Sequence, residues 1–268
     1  MRLVVQQVEY RGHAKSYVRL SGIQLLILGL NYFVIARAEP NRISGQSPIL
    51  ASVPERLIIS NALFLVLILD KLLPFSLGLA IIVFNSILAV ITFLIWYKTT
   101  EDASVRSFFK ETFWPLLVRC LNGKRGPFVA LHAFGVVEFL IGCLFSVRPG
   151  FANVAFQLQP FQDHAAGYLG AFFALFAQCA WQQIYMGKIG SIPFIIANVL
   201  SRFALKIPLL VILSASKQID VGLLVFLGAL DFIFGFIILL LLFLLREYRE
   251  NTEETAEMDA ILPSNTNN

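Results

Sequence analysis

The chain has 268 residues, 57% of them hydrophobic and only 14% charged, with a formal net charge of +4. Soluble globular chains carry about 25% charged residues, so the composition excludes an ordinary water-soluble domain, and so small a net charge argues against a nucleic-acid partner. The three cysteines (Cys120, Cys143 and Cys179) and three histidines (His13, His132 and His164) lack CxxC or paired-ligand spacing. Neither a disulfide framework, a metal site nor a cofactor is therefore expected.

Residues 1–19 read as a polar N-terminal segment without the apolar core of a cleavable signal, so the first apolar stretch, 20–37, is expected to act as its own insertion signal. The run from Leu57 to Tyr97 holds Asp70, Lys71 and Pro74 as its only charges and proline. As one helix it would extend ~60 Å, about twice the ~30 Å hydrocarbon core of a bilayer. It is therefore read as two spans, 57–73 and 75–97, joined by a tight turn.

The connector 98–127 places Val105, Phe108, Phe109, Thr112, Phe113, Leu116, Leu117 and Cys120 at helical spacing. That predicts an amphipathic helix at about 103–121 in the headgroup region, bent at Pro115. Four further spans follow at 128–147, 165–186, 192–214 and 221–245. The apolar runs are continuous rather than alternating, which excludes a β-barrel. The tail 246–268 is acidic and poor in apolar residues and is expected to be disordered. The fold class is all-α: a polytopic integral membrane bundle of about seven transmembrane helices, with 20–245 as one transmembrane domain.

Basic loop residues argue orientation. With the N-terminus outside, the cytoplasmic side collects Arg37, Arg42, Arg56, six residues of the 98–127 connector, Lys188, Arg246 and Arg249, twelve against seven opposite. This favours N-out and C-in, although the basic N-terminal tail opposes it.

Residues 51–90 align without a gap on 197–236 at an offset of 146, with eight identities in forty positions. Two of the identities are charged, Arg56/Arg202 and Lys71/Lys217, and Asn85 falls opposite Asp231. The alignment predicts two parallel three-helix repeats, an arrangement found in transporters.

Ionisable groups at bilayer depth are costly and face the bundle or a cavity. Asp231 is central in its span and Glu138 in its own, while Arg202 and Lys206 stand four apart on one helix. Together with Asn85 they form the candidate substrate-binding set, against the plainer alternative that the basic pair snorkels to an interface. No GxSxG, HExxH or P-loop pattern occurs, so an enzyme is disfavoured and no catalytic residue is assigned. The leading expectation is binding or translocation of a small molecule, ion or lipid. The second is a non-catalytic accessory or assembly subunit with a membrane-protein partner, and the third a lipid- or quinone-modifying enzyme. A polar mid-membrane cavity would favour the first, and an exposed small-residue face, such as Gly167 and Gly170, the second.

Overall fold

The computed structural model describes residues 14–37, 51–99, 103–117, 126–158, 161 and 164–261. Among the described residues there are nine helices and no strand: α1 (Ala14–Arg37), α2 (Ser52–Leu69), α3 (Phe75–Thr99), α4 (Val105–Leu117), α5 (Gly126–Val147), α6 (Pro149–Phe156), α7 (Ala165–Ile189), α8 (Ile192–Ala215) and α9 (Val221–Ile261). Six of them, α1, α2, α3, α5, α8 and the first part of α9, are long and apolar enough to cross a membrane. The chain is an all-α, membrane-type helical bundle.

The remaining expected span is α7, 25 residues long but less apolar than those six. The reason is its position at the centre of the bundle. Nearly all its side chains are buried, so Gln178, Gln182 and Gln183 meet protein rather than lipid. It runs antiparallel along α5, with Gly187 against Phe128 and His132, Gly135 against Ala180 and Ile184, and Gly142 against Ala177. A Cβ at Gly135 or Gly142 would come within 2.8 Å of α7 backbone atoms, so only glycine permits this approach.

Three helices differ most from the sequence expectation. Helix α1 begins at Ala14, inside the segment read as polar, because Tyr17 and Leu20 pack into the main apolar core. Helix α2 starts at Ser52, so that Glu55 and Arg56 are helical, and it ends at Leu69, before a turn in which Lys71 adopts a left-handed φ of 57°. Helix α9 runs on to Ile261, through much of the tail expected to be disordered. Arg246–Ile261 is rich in Glu, a good helix former, and extending an existing helix needs no new nucleus. Residues 1–13 and 262–268 lie outside the described residues, as do His13 and Cys120. Phe108 of the amphipathic α4 is buried against Phe93 and Trp96 of α3, which ties that helix to the bundle.

The duplication extends to backbone detail. Helix α2 is interrupted by a π-helical stretch at Glu55–Ser60 and α8 by one at Ser201–Lys206, each followed by nine α-helical residues, Asn61–Leu69 and Ile207–Ala215. The wide turns are closed by the same bond, Asn61 N–H to the Arg56 carbonyl and Ile207 N–H to that of Arg202. Lys217 repeats the left-handed turn of Lys71, with φ 55°, and α3 and α9 then begin at Phe75 and Val221. Every pair is 146 residues apart. A proline is not required for the wide turn, because Ala62 stands in α2 where Pro208 stands in α8.

Both α2 and α8 run antiparallel to α7. Ser60 meets Gln178 and Leu67 meets Gly170 on one, while Arg202 meets Gln183 and Lys206 meets Phe176 on the other. The units α1–α3 and α7–α9 are thus parallel repeats, with α5 between them.

Candidate functional site

Helix α8 places Asn198, Arg202 and Lys206 at successive four-residue steps, one stripe that its π-helical stretch carries into the bundle interior. Asp231 of α9 faces that stripe across the hairpin, Glu138 projects from α5, and Gln183 from α7. Asp231, Glu138, Arg202 and Lys206 are 1%, 1%, 3% and 5% exposed. Arg202 Nη1 lies 2.7 Å from both Glu138 Oε1 and Asp231 Oδ1. Lys206 Nζ is 2.8 Å from Asp231 Oδ2 and sits 4.6 Å above the Phe176 ring.

The other two guanidinium nitrogens are engaged as well. Nε donates to Asn198 Oδ1 at 3.0 Å and Nη2 to Gln183 Oε1 at 3.0 Å, while Gln183 Nε2 donates to Glu138 Oε2 at 2.6 Å. Glu138, Gln183 and Arg202 therefore close a ring. Two cations and two carboxylates make the centre neutral overall, which is the condition for keeping four ionisable groups out of water. Beside them lies a cavity of about 20 Å³, also lined by Gln24, Asn31 and Ser201. One water needs roughly 10–15 Å³ by this measure, so the cavity has room for about one. Gln24 Oε1 and both amide atoms of Asn31, all buried, have no hydrogen-bond partner in the protein.

Four of the five sequence candidates therefore meet, and the basic pair turns inward rather than snorkelling. The fifth, Asn85, lies elsewhere. It donates to Ser60 Oγ at 2.7 Å, which also accepts from Gln178 Nε2 at 2.7 Å. By the repeat, Asn85 and Ser60 occupy the places of Asp231 and Lys206, so the first unit builds the same contact without charge.

Sequence reasoning missed Glu55, Tyr32 and Asn198. The fully buried Glu55 falls before the expected span 57–73, because apolar character begins only at Leu57. Tyr32 donates its hydroxyl to Glu55 Oε1 at 2.6 Å and accepts from Arg56 Nε at 3.2 Å. The one available signal was the match of Arg56 to Arg202, which brings Arg56 and its neighbour into a span.

The glycines expected as an exposed face are internal, since a Cβ at Gly167 would meet the Leu72 carbonyl and one at Gly170 the Leu67 side chain. His132 and His164 each bond a backbone carbonyl, of Ile184 and Leu72, toward opposite ends of α7. Among the described residues no group of His, Cys, Asp and Glu is arranged to hold a metal ion. Neither a protein-family model, a curated protein nor a solved structure matches the chain.

Proposed function

We propose that this chain binds or translocates a proton or small cation across a membrane, at the Glu138–Arg202–Asp231–Lys206 centre. The observation carrying the reading is that two buried acids and two buried bases border a water-sized cavity with unsatisfied amide groups on its wall. An apolar core of the same volume would hold a bundle together as well or better, so retained charge at this depth points to a task. The cavity is too small for an organic substrate, and a cation entering it would compete with Lys206 and Arg202 for the carboxylates.

The parallel repeats support the same reading, since transporter sites lie between such units. The path is read as seven crossings, N-terminus outside and C-terminus cytoplasmic. The antiparallel course of α7 along α5 supports that count, and the basic residues of the loops support the orientation.

The test is purified protein in liposomes loaded with a pH- or cation-sensitive dye, under an imposed gradient. Wild type should conduct, and Asp231→Asn should lose at least tenfold of the flux while its circular-dichroism spectrum is retained. No flux under proton, sodium or potassium gradients, or an unchanged Asp231→Asn, refutes the reading. A second reading, an accessory subunit of a membrane complex, is favoured by an open apolar groove on the other unit.

A further inference from the structure

Each repeat forms a trough between its first and third helices, and among the described residues one of the two is filled. In the second repeat α5 occupies it. Glu138 reaches Arg202, Phe134 stacks on Phe234 with centroids 4.0 Å apart, Phe145 packs on Phe173 and Phe226, and Gly135 seats against Ala180. The corresponding positions in the first repeat follow from the offset of 146 for α2 and α3. For α1 the offset is 151, set by Tyr32 and Gln183, which bond Arg56 and Arg202 respectively.

Arg202, Phe234, Phe173, Phe226 and Ala180 thereby map onto Arg56, Leu88, Gly22, Ala80 and Gly29. All five line a single groove of about 850 Å³ between α1, α2, α3 and α7. A Cβ at Gly22 or Gly29 would meet nothing within 4 Å.

We infer that this groove receives a transmembrane helix of another membrane protein, seated in the first repeat as α5 is seated in the second. The wall is mostly apolar, with Ser21 and Tyr168 near one end and a polar floor of Tyr32, Arg56, Asn85 and Gln178. Two glycines seven residues apart on α1 allow the close backbone approach that helix pairs use inside membranes. Where α5 meets Phe173 and Phe226, the groove offers Gly22 and Ala80, which leave room for the incoming helix to approach more closely.

Polarity defines the partner further. In the second repeat Arg202 and Lys206 outnumber Asp231, and Glu138 of α5 restores neutrality. In the first repeat the Tyr32 hydroxyl donates to Glu55 and accepts from Arg56, and Ser60 and Asn85 are neutral. The partner helix therefore presents a polar side chain to this floor at the depth of Arg56, where Glu138 of α5 stands in the second repeat. The inference goes beyond ion handling at the other repeat, and its test does not depend on flux.

A photoreactive amino acid is placed at Leu25, exposed in the groove, or at Phe236, exposed on α9, in the full chain in its native membrane. After irradiation, adducts are sequenced by mass spectrometry. The expected result is a Leu25 adduct to a transmembrane segment of one other protein, with Gly, Ala or Ser beside the linked residue, and no such adduct from Phe236. Gly22→Leu with Gly29→Leu should lower it at least tenfold while thermal unfolding stays unchanged. Ala80→Leu, on the opposite wall, is a second block if the glycine variant folds poorly. Lipid adducts alone, adducts to this chain itself, equal labelling from both positions, or an adduct that survives both blocks would overturn the inference.

Discussion

Replacing Asp231 by Asn tests whether the centre is held together by charge balance. Asparagine keeps the size of the side chain and one acceptor oxygen, so the contacts from Arg202 Nη1 and Lys206 Nζ can persist as hydrogen bonds. What changes is charge, with the cluster passing from neutral to a net +1 at 1–5% exposure. Breaking a buried ion pair by removing one partner costs about 3–5 kcal/mol. Arg202 retains Glu138 at 2.7 Å and Gln183 at 3.0 Å, which places the expected loss at the lower end, about 3 kcal/mol.

The informative partner variant is Lys206→Met, which removes the cation left without an acid. Asp231→Asn with Lys206→Met is again neutral and leaves the Arg202–Glu138–Gln183 ring intact, so it should recover at least half of the loss. The assay is unfolding by SDS in mixed micelles, followed by circular dichroism, for wild type, both single variants and the double. Additive losses, or an Asp231→Asn protein as stable as wild type, would refute the balanced-charge reasoning.

Gly142→Leu should destabilise the bundle by about 3 kcal/mol or more in the same assay, because the added side chain collides with the α7 backbone at Ala177. Gly150→Ala, in open space at the start of α6, should be neutral or stabilising by up to about 1 kcal/mol. Lys71→Gly and Lys217→Gly should each stabilise by up to about 1 kcal/mol by relieving a positive φ, and the Val variants should destabilise; equal behaviour of Gly and Val would contradict the left-handed turn. Reporter fusions in the connector near residue 101 and at the C-terminus should report the same side of the membrane, whereas opposite sides would mean that α7 does not cross.

Membrane class and the approximate place of each helix were legible from hydropathy, because lipid demands long apolar runs with every backbone group bonded internally. Asp231, Glu138, Arg202 and Lys206 stood out for the same reason, as charges at depth. Hydropathy reports exposure to lipid, however, and it understated α7, which has almost none, and lost Glu55, whose polarity is answered inside the bundle by Tyr32.

The repeat shows the division most clearly. Eight identities in forty barely separate it from composition, since apolar helices resemble one another. The paired π-helical stretches and paired left-handed lysines are backbone features that many sequences can satisfy, so only the folded structure reveals them. Which acid pairs with which base was likewise settled by packing. Depth along a helix can be counted in the sequence, but the direction a side chain faces depends on neighbouring helices from distant parts of the chain. The asymmetry between a trough filled by α5 and one that the described residues leave open therefore belongs to the tertiary structure alone.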